Sequence, residues 1–246
     1  MDTNKCQKGF LGEYHMKKIG LLGGMSWESS LEYYRIMNEL VKSKLGGSHS
    51  VKCVLHSFDF HEVEELQHKG EWKTLTSLMV KEADNLKRAG AEFIVICTNT
   101  MHLMAPDIEK NTGLKVIHIA DAAGDEIIRR NVNKVLLLGT KFTMEGSFYK
   151  ARLENKGIEV VIPNETDRQI IHDIIYNELI LGVIKPESKQ SYIKIINKMT
   201  EEGITGVVLG CTEIPMLIKQ EDVIVEVFDT TEIHSRAAVD YAIDGE

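Results

Sequence analysis

Short apolar runs alternate with longer stretches of helical periodicity along most of the chain. The apolar runs predict buried strands at 18–22, 51–57, 93–97, 116–119, 134–138, 159–162, 206–209 and 224–228. In 71–89 the residues Leu75, Met79, Ala83 and Leu86 recur at helical spacing. Similar stretches predict helices at 29–44, 71–89, 104–111, 121–131, 144–155, 167–181, 187–202 and 231–243. Such alternation is typical of an α/β fold with parallel sheets.

The second half of the chain repeats the first. Segment 134–140 resembles 18–24, and segment 203–211 resembles 90–98, so that Thr98 aligns with Cys211. We therefore expect an N-terminal lobe at 16–132 and a C-terminal lobe at 133–230. A final helix within 231–246 is expected to pack back on the first lobe. Residues 1–15 lack the apolar stretch of a secretory signal and are expected to form a disordered leader.

Composition and charge limit the kinds of partner that the chain is expected to bind. The chain has 246 residues, of which 43% are hydrophobic, and its formal net charge is −8. A negative chain without a basic stripe disfavours nucleic acid and anionic membrane surfaces as partners. No apolar run approaches the roughly 20 residues of a membrane span. Four cysteines without Cys-x-x-Cys spacing predict neither a metal site nor disulfides, and a cytoplasmic protein is the default.

Small and polar residues collect where the predicted strands end, at 23–26, 57–59, 98–100, 139–143, 211–213 and 229–231. Ligands of open α/β sheets bind outside the carboxyl ends of the strands, which makes these clusters candidate site residues. The glycines of 23–26 do not form the dinucleotide motif G-x-G-x-x-G and also suit a simple tight turn. Residues 98–100 also suit an ordinary helix cap.

Cys211 lies between Gly210 and Thr212 at a predicted strand–helix junction. A helix N-terminus lowers the pKa of a thiol, so we expect a thiolate that acts as nucleophile or base. Asp229 or His234 could assist it. A histidine within a helix, however, is more often a structural residue, and His234 fits that interpretation better.

Three segments together resemble a known family. Cys-Thr-Asn-Thr-Met-His at 97–102, Gly-Cys-Thr-Glu at 210–213 and Gly-Leu-Leu-Gly-Gly-Met-Ser-Trp-Glu-Ser at 20–29 resemble the aspartate/glutamate racemases. The likeness is greatest to the broad-specificity amino-acid racemase branch and, within it, to racemases specific for L-aspartate and L-glutamate. It implies two flavodoxin-like lobes related by a pseudo-twofold axis, with the active site between them. It also implies a homodimer, an acidic amino acid as substrate, and catalysis without pyridoxal phosphate, other cofactors or metal.

In that family two cysteines face the substrate Cα from opposite sides. The resemblance places the second at Cys211 and the first at Thr98, because the usual motif is Cys-Asn-Thr. Successive strand residues point to opposite faces, so Cys97 is expected to be a packing residue. A threonine hydroxyl is a poor base at neutral pH, and the resemblance implies an enzyme that acts preferentially on L substrates.

The resemblance also implies substrate-binding residues. Arg168 is expected to clamp the side-chain carboxylate through its bidentate guanidinium, although it could equally be a solvated charge in the first turn of a helix. Thr143 is a weaker candidate for the pocket lining. The remaining candidates for substrate contact are Met25, Gln67, Asn99, Thr100, Met101, Thr140 and Thr212.

Two alternatives stay open. One is a related enzyme, such as a maleate isomerase, a hydantoin racemase or an arylmalonate decarboxylase, because a single cysteine suits protonation from one side. The other is a non-catalytic protein that binds an amino acid. The motif does not distinguish aspartate from glutamate, which differ by one methylene group.

Overall fold

A computed structural model describes residues 15–245. Its strands are β1 (Ile19–Gly23), β2 (Cys53–Ser57), β3 (Phe93–Ile96), β4 (Lys134–Gly139), β5 (Glu159–Val161), β6 (Gly206–Gly210) and β7 (Glu226–Asp229). Its α-helices are α1 (Trp27–Leu45), α2 (Phe60–His68), α3 (Trp72–Arg88), α4 (Ala105–Thr112), α5 (Ile119–Arg129), α6 (Lys141–Glu145), α7 (Ser147–Asn155), α8 (Glu165–Asn177), α9 (Pro186–Thr200), α10 (Ile214–Leu217) and α11 (Thr230–Asp244). Short 3₁₀ helices occupy Thr100–Met104, Leu179–Leu181 and Gln220–Asp222. Except for His15, the predicted leader lies outside the described residues.

The strands form two parallel sheets, which confirms the predicted α/β class. The first has the order β2-β1-β3 and the second the order β5-β4-β6-β7. In each sheet the first strand of the lobe is central, and β3 and β6 lie beside it in equivalent positions. The segments that follow β3 and β6 therefore leave their sheets at matching points, as the internal repeat predicts.

Two predicted elements differ from the structure, and the structure also contains helices that the sequence did not predict. The run 116–119 contributes only a single bridge between Ile94 and Val116, because His118 caps a helix that begins at Ile119. The helix α2 was not predicted, since only Val63 and Gln67 of its nine residues are buried and no apolar stripe marks it. The predicted helix 144–155 is divided at Gly146 into α6 and α7.

The C-terminal helix α11 packs against the first lobe. Its residues Ala238, Val239 and Ala242 join the core that contains Tyr33 and Met37 of α1. The side chain of Asp229 begins this helix by accepting hydrogen bonds from the backbone N–H groups of Thr231 and Glu232. None of the helices in residues 15–245 is long and apolar enough to cross a bilayer.

Candidate active site

A cavity of about 410 Å³, measured with the solvent at its mouth, lies between the lobes at the carboxyl ends of the strands. Residues that follow β1, β3, β4 and β6 line it, together with side chains from α2, α8 and the 3₁₀ turn at Leu179–Leu181. Its walls are Met25, Ser26, Phe60, Gln67, Thr98, Asn99, Thr100, Thr140, Ile175, Tyr176, Ile180, Gly210, Cys211 and Glu213. Seven of the ten site residues predicted from the sequence are therefore brought together, including Thr98 and Cys211 from equivalent strand ends.

The thiol of Cys211 is buried and keeps its proton at neutral pH. Burial raises its pKa well above the ordinary value, and the neighbouring negative charge of Glu213 raises it further. The lowered pKa expected from a helix N-terminus is thus wrong. The physical reason is that α10 begins only at Ile214 and has four residues, too little helix to offset the loss of solvent.

Glu213 belongs to the predicted cluster 211–213, but its role beside the thiol was not predicted from the sequence. Its Oε2 atom lies 3.0 Å from the Sγ of Cys211, which donates to it, and 2.8 Å from the Oγ1 of Thr212. Its Oε1 atom accepts from Ser26 at 2.6 Å and from Ser29 at 2.9 Å. Four donor groups therefore surround a carboxylate that only accepts, and two of them come from the opposite lobe. The carboxylate both satisfies the thiol proton and joins the lobes beside it.

The Thr98 side of the cavity has no comparable partner. The backbone carbonyl of Thr98 accepts from Nδ1 of the buried His102 at 2.8 Å, which fixes the main chain there. Within residues 15–245 the hydroxyl of Thr98 makes no hydrogen bond to a protein group. The two strand ends thus differ in the reacting group and in its neighbour. Cys211 has a thiol beside a carboxylate, whereas Thr98 has a hydroxyl that has no basic partner among the described residues.

Asn99 lines the cavity, and its side chain carries a buried acceptor without a hydrogen-bond partner among the described residues. The hydroxyl of Thr230 donates its proton to the carbonyl of Leu209 at 2.7 Å, so it accepts from Nδ2 of Asn99 at 3.2 Å. This chain of bonds fixes the orientation of the amide. It leaves Oδ1 of Asn99 buried and without a donor among the described residues. A buried acceptor of this kind suits a ligand that brings an N–H group.

Three threonine hydroxyls meet across the lobes on the other side of the cavity. Oγ1 of Thr100 lies 3.3 Å from that of Thr140 and 3.2 Å from that of Thr143, and the latter two are 3.3 Å apart. Thr140 also caps α6, accepting from the backbone of Thr143. The cluster is polar but uncharged, and it offers hydroxyl donors to an anionic group.

Three predicted contact residues do not line the cavity. Met101 is fully buried, and its Sδ accepts from Nε2 of Gln67 at 3.2 Å, so it lies behind the wall. Thr212 donates to Oε2 of Glu213 and lines a separate groove beside α1. The guanidinium of Arg168 donates to Glu145 at 2.9 Å and to the carbonyl of Pro163 at 2.7 Å. These local partners hold Arg168 within its own lobe, and it does not line the cavity as expected.

The other residues considered beside the cysteine have structural partners. Cys97 is fully buried in the core of the first lobe, which confirms that it is a packing residue. His234 is held by the hydroxyl of Tyr33 and the carbonyl of Ile117, each at 2.7 Å. Asp229 caps α11. Neither His234 nor Asp229 lines the cavity, and the group beside the thiol is Glu213 instead.

Comparison with known proteins agrees with this geometry. Residues 22–238 match the Asp/Glu/hydantoin racemase family. A crystal structure of a candidate Asp/Glu racemase from Yersinia pestis is similar, with a TM-score of 0.87 and 52% identity, covering 92% of this chain and 99% of that one. An aspartate racemase homologue from Pyrococcus horikoshii has a TM-score of 0.80 and 41% identity, with coverage of 92% and 99%.

A more distant relative is the broad-specificity amino-acid racemase of Bacillus subtilis, 20% identical over 229 residues that make up 90% of this chain and 96% of that protein. The matched family segment spans both lobes and all the strand ends described above. The chain therefore belongs to the Asp/Glu/hydantoin racemase family.

Proposed function

We propose that this protein is a cofactor-independent amino-acid racemase that moves the Cα proton between opposite faces of its substrate. The observation that carries the proposal is the pairing of Thr98 and Cys211 at equivalent strand ends on one cavity, with Glu213 on the thiol. No lysine lines the cavity among the described residues, whereas pyridoxal-phosphate enzymes hold their cofactor through a lysine. The family name suggests aspartate and glutamate as the first substrates to examine.

The cysteine side supplies a complete acid–base pair. On substrate binding, the Cys211 proton passes to Glu213, and the positive substrate ammonium favours the thiolate that remains. The thiolate then removes the Cα proton that faces it, leaving a carbanion whose charge spreads onto the α-carboxylate. The hydroxyl of Thr98, or a water that it holds, then protonates the opposite face and completes inversion. The proton held by Glu213 passes through solvent to the donor on the Thr98 side, which restores the carboxylate, the thiol and the hydroxyl to their starting states.

The polar walls are suited to hold the α-amino acid group during this transfer. The unpaired Oδ1 of Asn99 would accept from the substrate ammonium, while hydroxyls of Thr100 and Thr140 would donate to the α-carboxylate. Gln67 is fixed by Met101 and by the hydroxyl of Tyr176, at 3.5 Å from its Oε1, and would contact the substrate from the same wall. This arrangement keeps Cα between the two lobes.

The threonine side makes removal of the Cα proton unequal for the two enantiomers. Thr98 can deliver a proton from its hydroxyl or from a water it holds, but without a base it removes one poorly. The two enantiomers have equal free energies, so kcat/KM for inversion must be the same in both directions. The proposed preference for L substrates therefore concerns deprotonation, with Cys211 facing the Cα proton of the L enantiomer.

A homodimer is also proposed. Trp27, Leu31 and Tyr34 are 64%, 54% and 50% exposed and lie at spacings of four and three along α1. They form one apolar stripe, which a second copy could cover. Light scattering of the wild type and of Leu31→Glu tests this, since the dimer mass should be lost in the variant.

The racemase proposal is tested by Cα deuteration in heavy water, followed by NMR with L-aspartate, L-glutamate and a set of neutral L-amino acids. Deuterium should enter at least one of them, and Cys211→Ala should abolish the exchange. Cys97→Ala is the matched control, because it removes a thiol from the core and should keep the exchange. Absence of deuterium in every substrate would contradict the proposal.

A further inference from the structure

The cavity contains a negative group and no positive one. Among its lining residues, which all belong to the described part of the chain, the groups that can ionise are Cys211, Glu213 and Tyr176. Burial raises the pKa of both the thiol and the phenol, so these two stay neutral. No lysine, arginine or histidine reaches the wall. A ligand therefore meets the charge of Glu213 without a compensating protein cation.

Of the basic side chains near the wall in sequence, His68 lies against the ring of Tyr176 without lining the cavity, and three others have partners elsewhere. Arg168 is held by Glu145 and the carbonyl of Pro163, as described above. The ammonium of Lys141 donates to Gln169. Burial lowers the pKa of His172, and its Nδ1 accepts from the backbone of Lys141, so this imidazole is neutral. None of the three is placed to neutralise a second carboxylate in the cavity.

One part of the wall is apolar and is supplied by both lobes. Met25 and Phe60 contribute from the first lobe, while Ile175, Ile180 and the ring of Tyr176 contribute from the second. These side chains come from elements other than the segments that carry Asn99, Thr100 and Thr140, and their polar neighbour is Gln67, whose Oε1 accepts from the hydroxyl of Tyr176 at 3.5 Å. The apolar part of the wall is therefore the surface that remains for the substrate side chain, and it matches an aliphatic or thioether group.

We propose that this side-chain subsite accepts uncharged side chains, so that the enzyme acts on neutral α-amino acids in preference to aspartate and glutamate. The inference rests on the proposed function, from which it takes an α-amino acid as the ligand. A neutral amino acid enters as a zwitterion whose two charges meet Asn99, Glu213 and the threonine hydroxyls. Aspartate or glutamate would bury a further carboxylate against apolar groups and near Glu213, and an unpaired buried charge is strongly unfavourable.

Glutamate, glutamine and methionine form a matched set for the test. Glutamine has the shape of glutamate without its charge, and methionine has a similar length and is apolar. We expect kcat/KM for Cα exchange in heavy water to be about tenfold or more higher for L-methionine than for L-glutamate, with L-glutamine between them. An equal or higher value for glutamate than for both neutral substrates would overturn the inference and leave the racemase proposal intact.

A charge placed in the subsite gives an independent test. Ile180 lines the cavity and is only partly buried where it packs against the core of the second lobe, so Ile180→Arg introduces a cation into the subsite. The glutamate-to-methionine ratio of kcat/KM should rise about tenfold or more. Ile224→Arg is the control, because Ile224 is 89% exposed and does not line the cavity, and it should leave the ratio unchanged. An unchanged ratio in Ile180→Arg would count against the assignment of the subsite.

Calorimetric binding separates failure of the inference from failure of the racemase proposal. If none of the three amino acids is exchanged, the racemase proposal fails for them, but their affinities still report on the subsite. Tighter binding of methionine than of glutamate, by about tenfold, would support the subsite assignment. Tighter binding of glutamate would overturn it.

Discussion

The thiol of Cys211 donates to Oε2 of Glu213 across 3.0 Å, inside a wall where both residues are buried. The carboxylate is the group that can take the thiol proton, and its other contacts to Ser26, Ser29 and Thr212 hold it in place. Thr98, at the equivalent strand end, has no such neighbour within residues 15–245. The difference between these two positions gives rise to the predictions below.

Replacing Glu213 by glutamine should slow Cα exchange about 10²-fold or more at neutral pH, because the amide cannot accept the thiol proton. The loss should shrink as the pH rises, since hydroxide can then remove that proton. The pKa of Cys211 should fall at the same time, because the neighbouring negative charge is gone. Rates over a pH series, with the exposed Glu201→Gln as control, measure this. Unchanged exchange at neutral pH would show that Glu213 has only a structural role.

The titration of Cys211 itself should lie above the range of a free thiol. Burial and the charge of Glu213 both raise its pKa, so the thiolate is scarce at pH 7 and increases only above about pH 8.5. The ultraviolet absorbance of the thiolate, taken as the difference between the wild type and Cys211→Ala, reports this step. A difference signal complete below pH 8 would contradict the described environment of the thiol.

Acid should destabilise the fold through buried histidines. The rings of His118 and His234 both lie against that of His102, with centroids 4.7 and 5.2 Å away. Burial lowers the pKa of all three, to about 3 for His118 and about 4 for His234. Below about pH 6.5 these histidines bind protons in the unfolded chain but not in the folded protein, so the free energy of unfolding falls as the pH falls. His118 and His234 each cost roughly 2 kcal/mol at pH 5.

His118→Asn tests this effect with little loss of structure. His118 caps α5 by accepting from the backbone of Ala120, and asparagine is a good capping residue. Urea unfolding at pH 7 and pH 5 should show a pH-dependent loss about 2 kcal/mol smaller than in the wild type. His61→Asn, at an exposed position, serves as the control. An equal fall in the free energy of unfolding in His118→Asn and the wild type would mean that the pKa of His118 is not lowered in the folded protein.

The fold follows closely from the sequence because its signals are local. In α3 the apolar spacing of Leu75, Met79, Ala83 and Leu86 predicts the buried face that the structure shows. Repetition of the strand ends predicts that Thr98 and Cys211 meet at one cavity. Strand alternation places Cys97 in the core. Each of these inferences depends on residues that are neighbours in the sequence or on the internal repeat.

The parts that sequence reasoning missed depend on distant contacts. Glu213 takes its role from Ser26 and Ser29 of the other lobe, and no local pattern reports that meeting. Its position two residues after a cysteine at a strand end was the available signal. The raised pKa of Cys211 likewise depends on burial by both lobes. Arg168 was misplaced because the sequence does not show that Glu145 and Pro163 hold its guanidinium.

The central claim is that Cys211 can both remove and deliver a proton while Thr98 mainly delivers one. It is tested most directly in heavy water by comparing Cα deuteration of the remaining substrate with formation of its enantiomer, beginning from L and from D substrate. Starting from the L enantiomer, deuterated L substrate should form roughly tenfold or more faster than the D enantiomer. Starting from the D enantiomer, deuterated D substrate should not form faster than the L enantiomer. Thr98→Cys should bring the two starting substrates to similar ratios. Similar ratios for L and D substrates in the wild type, unchanged in Thr98→Cys, would contradict the claim.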